Sequence, residues 1–238
     1  MNRLVYIFVM LLSSWSLSAQ NLSFFGALPA VSCSARMSNK INLNVFISST
    51  IDGVDRTISG VRYPASDLQF YLQPSVVYIH SPQVNFGASY TYQRNNPFNS
   101  NYVNEHRLWE QIIFSFPVSA ALQTNRIRFE ERFIQNRDKR KYPFSTRIRY
   151  QAGLNLPLRG RSLDVHEFYF NVYNEFYFSL TGLKNATWSE NWSYSGVGYA
   201  ISKKSRFETG YLLQILVRNK QRNLRLLSLI QLMWIENF

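Results

Sequence analysis

The chain alternates apolar and polar residues along segments that are longer than the strands of most globular proteins. In residues 83–93, every second residue from Val84 to Tyr92 is apolar, and the residues between them are polar or glycine. Successive side chains of a β-strand point to opposite faces, so this period of two predicts a strand with one apolar and one polar face. Segments of about 12–16 residues suit tilted strands that cross a bilayer and project beyond it.

Eleven strands with this pattern are predicted. They cover residues 24–36, 39–51, 67–80, 83–93, 103–116, 119–135, 143–157, 167–179, 189–202, 204–219 and 222–236. Tight connectors are predicted at 37–38, 81–82, 117–118, 158–162 and 203. Longer polar connectors alternate with them, at 52–66, 95–102, 136–142 and 181–188. Short turns at one end and longer loops at the other are typical of bacterial outer-membrane barrels.

The predicted fold class is therefore all-β, as a transmembrane antiparallel up-and-down β-barrel. Bacterial single-chain barrels normally have an even number of strands, so the wall is predicted to hold ten or twelve. Twelve is favoured, with one strand still undetected; ten results if residues 20–36 lie outside the wall. A soluble lipocalin-like carrier is the competing fold, and it predicts apolar faces that point inward.

The first nineteen residues have the features of a Sec signal peptide. Arg3 supplies a positive charge, the run LVYIFVMLL is apolar, and small residues predict cleavage after Ala19. Residues 20–238 contain no linker-like change of composition, so a single barrel domain is expected. These features predict export to the outer membrane of a Gram-negative bacterium.

The composition is basic, rich in aromatic residues and poor in charge. Lys and Arg total 26 against 14 Asp and Glu, and aromatic residues make up 16% of the chain. Cys33 is the only cysteine, which excludes an intramolecular disulfide. Neither metal-ligand spacing nor a nucleotide-binding motif is found, so neither a metal nor a cofactor is expected.

Charged residues concentrate on the polar faces of four consecutive predicted strands. Residues 126–149 hold seven Arg and two Lys against three acidic residues, a net charge of +6. The alternation predicts a charged cluster that lines the lumen, formed by Glu105, Arg107, Arg126, Arg128, Glu130, Arg132, Arg147, Arg149 and Glu175. The same rule places a set of aromatic and polar side chains in the lumen: Tyr169, Asn171, Tyr173 and Tyr177.

Two interpretations of the charged cluster remain open. In the first, arginines bridge Glu105, Glu130 and Glu175 and keep a narrow polar interior hydrogen-bonded. In the second, the surplus arginines line a constriction and attract anionic solutes. Both can hold together, because the carboxylates are too few to pair with every arginine.

Three motifs resemble the DUF2490 family of bacterial outer-membrane proteins. They are Glu105-x-Arg107-x-Trp109-x-Gln111, Arg126-x-Arg128-x-Glu130-x-Arg132 and Asn174-Glu175. The resemblance covers most of the chain after the signal peptide and implies an outer-membrane barrel of a Bacteroidetes-like bacterium. The family is uncharacterised, so it implies no activity.

The predicted function is a passive channel for small hydrophilic solutes, with a bias toward anions. The alternative is a non-conducting structural or surface-binding barrel whose lumen is plugged by paired side chains; ten strands would favour the plug and twelve the pore. An enzyme is not expected, because no acid, base and nucleophile come together around His80, His106 or His166. A lipid-directed hydrolase is the least favoured hypothesis.

The expected partners are those of an outer-membrane protein. Outer-membrane lipid surrounds the wall, and the basic loop 135–143 would meet the phosphates of lipopolysaccharide. The barrel-assembly machinery would recognise the last strand, which ends at Phe238. A nucleic-acid partner is not expected, and the sequence indicates no oligomeric state.

Overall fold

The computed structural model describes residues 22–58, 60–138, 140–182 and 186–238. The predicted signal peptide, residues 1–19, lies outside this part of the chain. All regular secondary structure in the described part is β-strand. No helix in it is long and apolar enough to cross a membrane.

Thirteen strands are formed within the described residues. Their bounds are Leu22–Arg36 (β1), Ile41–Asp52 (β2), Arg56–Ile58 (β3), Val61–Tyr63 (β4), Ser66–Ile79 (β5), Val84–Asn95 (β6), Val103–Val118 (β7), Ala121–Ile134 (β8), Phe144–Pro157 (β9), Phe168–Ser179 (β10), Trp188–Ala200 (β11), Ser205–Val217 (β12) and Leu224–Asn237 (β13). β3 and β4 form a separate hairpin, and the other eleven strands close into one barrel. The positions of all eleven predicted strands are confirmed.

The number of strands and the closure of the barrel differ from the prediction. Neighbouring strands are antiparallel around the wall except at one seam, where β1 pairs parallel with β13 from Leu22–Arg225 to Ser34–Asn237. A wall of sequential antiparallel strands that closes with a parallel pair must hold an odd number of strands. The described wall has eleven, so the prediction of twelve, or of ten with residues 20–36 outside, was wrong.

The barrel has two different ends, which we call the loop end and the turn end. The connectors at the loop end are 53–65, 96–102, 135–143, 180–187 and 218–223. Those at the turn end are 37–40, 80–83, 119–120, 158–167 and 201–204. The connector that follows β9 is therefore longer than the predicted turn at 158–162. Because of the parallel seam, Leu22 lies at the loop end and Asn237 at the turn end.

Large apolar side chains are exposed on the outer face of every strand in the described wall. Val45 on β2, Ile127 on β8 and Ile230 on β13 are 40%, 44% and 50% exposed. Soluble monomers rarely expose contiguous apolar surface beyond a few hundred Å². The lipocalin-like alternative predicts the opposite orientation of these faces.

One side of the barrel interior is apolar. Its buried cluster consists of Leu22, Phe24, Leu28, Ala30, Tyr194, Leu212, Leu227 and Leu229. These side chains come from β1, β11, β12 and β13, which are neighbours in the wall. The sequence did not predict this cluster, because β13 is largely apolar on both faces and its alternation is correspondingly weak.

Glycines on β11 let interior tyrosines lie flat against the wall. Gly198 pairs with Tyr169 of β10, and a Cβ atom at Gly198 would lie 2.1 Å from Tyr169 Cζ. A Cβ atom at Gly196 would likewise lie 2.2 Å from the hydroxyl of Tyr194. Both rings are buried, so they occupy the space that side chains at the two glycines would need.

Replacing Gly198 with alanine should destabilise the barrel. The added methyl group would overlap the ring of Tyr169, and overpacking of this kind costs about 1–3 kcal/mol. The urea midpoint of the refolded protein in detergent micelles, followed by tryptophan fluorescence, measures the loss. Gly53→Ala is the control, because its Cβ atom would meet only the carbonyl oxygen of Phe25, at 3.8 Å. Equal midpoints for Gly198→Ala and the wild type would contradict the packing.

The parallel seam can be tested by cross-linking. Cys33 pairs with Glu236 across it, so Glu236→Cys should form a disulfide with Cys33. Adjacent strands lie about 4.8 Å apart, which is within the Cα separation that disulfides need. Mass spectrometry of the unreduced protein detects the linked peptides. The control is Leu232→Cys, which pairs with Pro29 and should stay unlinked. A ten-stranded wall without β1 would leave Glu236→Cys unlinked as well.

Candidate functional site

The nine predicted charged residues lie together in the barrel interior. They project from β7, β8, β9 and β10, which are consecutive in the wall, because each occupies an inward position of its strand. Seven of them are buried, while Arg126 and Arg132 have side chains that are 20% and 15% exposed. We call this set, with Glu190 added below, the interior ion-pair network.

Glu130 lies at the centre of the network. It is fully buried and pairs across the β8–β9 ladder with Arg147. Arg147 Nε and Nη2 lie 2.7 and 2.6 Å from its Oε2 atom, and Arg149 Nη1 donates to Oε1 at 2.7 Å. Both carboxylate oxygens are thus held by guanidinium groups, which is the arrangement that a buried carboxylate requires.

Glu175 extends the network to β10. Arg149 binds it with two parallel contacts, Nε to Oε1 at 2.9 Å and Nη2 to Oε2 at 2.7 Å. Arg126 Nη2 donates to Oε1 at 2.7 Å, and the hydroxyl of Tyr177 donates to Oε2 at 3.0 Å. Arg149 therefore bridges Glu130 and Glu175, which joins three strands.

Glu105 forms a second branch closer to the loop end. Arg132 binds it through Nε at 2.6 Å and Nη2 at 3.1 Å, one contact to each oxygen. Arg107, two residues along β7, also donates to it through Nε. The other end of Arg107 donates to the amide oxygen of Gln93 on β6.

Glu190 belongs to the network although the sequence analysis did not select it. Its Oε1 atom accepts from Arg147 Nη1 at 2.8 Å, which links β9 to β11. The available signal was its position in the predicted strand 189–202, where it lies on the same face as Tyr194. That signal is weak because strand phase alone does not indicate that Arg147, two strands away in the wall, would be its partner.

Arg128 differs from the other arginines of the network, because no carboxylate of the described residues lies within ion-pair distance of it. It is buried, and its Nε and Nη2 atoms donate to the amide oxygen of Gln111 at 3.0 and 2.7 Å. Its guanidinium carbon lies 3.8 Å from the ring centroid of Trp109, a cation–π contact. Six arginines thus face four glutamates, so the described network has a surplus of two positive charges.

The predicted aromatic and polar set divides into two places. Tyr177 belongs to the charged network: the guanidinium carbons of Arg147 and Arg149 lie 4.7 and 4.4 Å from its ring centroid. Tyr173 stacks on Tyr194, with ring centroids 5.1 Å apart, beside the apolar cluster.

Tyr169 and Asn171 form a separate polar contact around Glu208 of β12. The hydroxyl of Tyr169 donates to Glu208 Oε1 at 2.6 Å, and the amide of Asn171 donates to Oε2 at 3.0 Å. Glu208 is buried, and sequence reasoning did not select it. The four predicted residues therefore do not line one binding surface.

The three histidines contact aromatic side chains, and His80 packs against Phe86 with ring centroids 5.9 Å apart. His106 lies on the outer face, where its Nδ1 atom is 2.6 Å from the hydroxyl of Tyr90. His166 contacts Tyr199 at 3.3 Å near the turn end. Within the described residues, no three His, Cys, Asp or Glu side chains lie close enough to hold a metal ion.

The fold and the interior define a class of protein: a closed mixed β-barrel whose interior is held by buried ion pairs. The chain belongs to the family described as "Protein of unknown function (DUF2490)", whose sequence profile matches residues 36–225. This range contains all three motifs on which the resemblance rests, and the family assignment is confirmed. No curated protein matches the chain.

Replacing Glu130 with alanine should weaken the barrel strongly. The change removes the carboxylate that Arg147 and Arg149 share and leaves buried cations without it. Breaking a buried ion pair from one side costs about 3–5 kcal/mol, so the free energy of unfolding should fall by that amount. Urea unfolding of the protein in phosphatidylcholine vesicles measures it.

Glu131→Ala is the matched control for this variant. Glu131 is the next residue on β8 and pairs with the exposed Leu108 on the outer face, outside the network. Because Glu131 lies on the outer face near the loop end of β8, removing its carboxylate should leave the free energy of unfolding unchanged or raise it by up to about 1 kcal/mol. Equal losses of unfolding free energy in Glu130→Ala and Glu131→Ala would show that the buried ion pairs do not specifically stabilise the barrel.

Proposed function

We propose that the protein is an integral outer-membrane β-barrel whose interior is closed by its own side chains. In this proposal it serves as a structural or surface-binding barrel and does not conduct. The observation that carries the proposal is the interior ion-pair network, which joins β7 to β11 through contacts between buried and half-buried groups.

The dimensions and the outer face of the wall support a place in the membrane. The barrel strands have 12 to 16 residues. At about 3.3 Å per residue and a tilt of about 40°, they would span roughly 30–40 Å, more than the ~25 Å apolar band of an outer-membrane barrel. Exposed apolar side chains on every described strand would face the lipid. The longer loops at the loop end would lie outside the cell, as in other bacterial barrels.

The burial of the interior supports a closed barrel. The ion-pair network occupies one side of the interior and the apolar cluster occupies the other. Leu212 and Leu229 have no exposed surface, and Glu130 has none on the charged side. Arginines that line an aqueous channel would keep contact with water, whereas most of these are enclosed by their partners.

A passive channel for small anionic solutes is the second candidate. It is favoured by the two surplus positive charges and by Arg128, whose partners are the amides of Gln111 and Gln73 and the ring of Trp109. The side chain of Arg126, which is 20% exposed, also faces the interior. We assign no reaction to the protein. We also infer that the barrel-assembly machinery would act on β13, the last strand of the wall.

Conductance of the refolded protein in a planar bilayer tests the proposal. We expect no steady current from protein whose insertion is shown by flotation with phosphatidylcholine vesicles, because buried ion pairs and the apolar cluster occupy the two sides of the interior. Steady, anion-selective current that falls in Arg128→Ala would overturn the closed barrel and establish the channel. Arg206→Ala, which changes the same residue type outside the ion-pair network, is the control for that comparison.

A further inference from the structure

Two neighbouring loops at the loop end form an open cleft of about 390 Å³. The 96–102 connector and the 135–143 connector provide its walls. Its lining residues are Ser100, Tyr102, Gln135, Arg137, Arg140 and Tyr142. The cleft thus combines two guanidinium groups with two phenol rings, an amide and a hydroxyl.

The two arginines of the cleft lack the partners that interior arginines have. Arg137 Nη2 donates to the carbonyl oxygen of Ser100 at 2.9 Å, which ties the two loops together. Arg140 follows it in the same loop, which is closed by a bridge between Asn136 and Lys141. Neither guanidinium forms an ion pair with a carboxylate in the described part of the chain. Both remain able to bind an anion from outside the protein.

The surroundings of the cleft add further positive charge. The guanidinium carbon of Arg94 lies 3.8 Å from the ring centroid of Tyr102, which lines the cleft. Lys141 is exposed beside the cleft, and Asp138 is the acidic residue of the same loop. An anion would therefore meet a local field that is strongly positive.

In the proposed membrane barrel, aromatic side chains would place the cleft at the level of the lipid headgroups. On the outer face just below it, His106 packs against Tyr92 and Tyr142, with ring centroids 5.5 and 5.4 Å apart. Tyr90 completes this group through its hydroxyl contact with His106. Amphipathic aromatic rings at the ends of membrane strands mark the boundary between hydrocarbon and headgroups. Tyr142 belongs to both the aromatic group and the cleft, so the cleft lies directly beyond that boundary.

We propose that this cleft binds a phosphate group on the headgroup of an outer-leaflet glycolipid. Arginine forks match phosphate geometry with parallel hydrogen bonds, and Arg137 and Arg140 would supply them. The hydroxyls of Tyr102 and Tyr142 and the amide of Gln135 would contact the attached sugar. The inference rests on the proposed place in the outer membrane, with the loop end facing outward.

Binding of diphosphoryl lipid A to the refolded protein in detergent micelles tests the inference. Three probes are compared by native mass spectrometry: diphosphoryl lipid A, its dephosphorylated form, and inorganic phosphate as a competitor. We expect the double variant Arg137→Ala/Arg140→Ala to bind diphosphoryl lipid A roughly tenfold more weakly than the wild type, since two charge-assisted contacts are lost. The wild type should bind the dephosphorylated lipid about as weakly as the double variant binds diphosphoryl lipid A.

A matched control removes the same charge from the opposite end of the barrel. Arg159→Ala/Arg161→Ala changes two exposed arginines of the 158–167 connector, at the turn end. This variant should bind diphosphoryl lipid A like the wild type. Equal weakening in both double variants, or none in either, would overturn the site.

Two further outcomes separate this inference from the proposed function. Displacement of the lipid by an equal concentration of inorganic phosphate would overturn the glycolipid assignment and leave a site for free phosphate. Flotation with plain phosphatidylcholine vesicles tests insertion alone. Failure to float would refute the proposed membrane barrel, whatever the cleft binds. Flotation together with unchanged binding in Arg137→Ala/Arg140→Ala would refute only the cleft.

Discussion

The pairing of buried carboxylates with arginines is the interaction on which the rest of the barrel depends. Ions in an enclosed interior are strongly destabilised unless partners replace their water, and Glu130 has guanidinium groups on both oxygens. These contacts also specify strand register. A slip of one residue between β8 and β9 would turn the arginines and glutamates to the outer face and bring phenylalanines inside. The network thus selects one alignment of five strands, β7 to β11.

Much of this arrangement could be predicted from local sequence, because strand geometry converts spacing directly into position. Alternate residues share a face in any strand, so the inward location of Arg128, Glu130 and Arg132 required no knowledge of the fold. The same rule placed Glu105 and Arg107 inward. The partners across strands could be predicted only in part. The sequence shows that four adjacent strands carry the charges, but which oxygen contacts which nitrogen depends on register and tilt.

The features that could not be predicted depend on contacts between distant parts of the chain. The parallel seam joins Leu22 to Arg225, and nothing in either local sequence indicates that pairing. The predicted strand number was even because all neighbouring strands were expected to be antiparallel. One parallel pair in the wall makes the number odd. The apolar cluster could not be predicted for a related reason: β13 is apolar on both faces, so its inward side is defined by packing with β1, β11 and β12 in the buried cluster.

The parallel seam has a consequence for the order in which the barrel assembles. Each antiparallel pair joins strands that follow one another in the wall and are linked by a connector, so these pairs can form progressively as the chain is supplied. β1 is the exception: it precedes the other strands in the described chain, yet its second edge has no partner until β13 is complete. Closing a loop of this length is slow, and parallel long-range pairing is slower than local pairing. β1 would therefore keep one unpaired edge during most of folding. Formation of the β1–β13 pair would then be the rate-limiting step of folding.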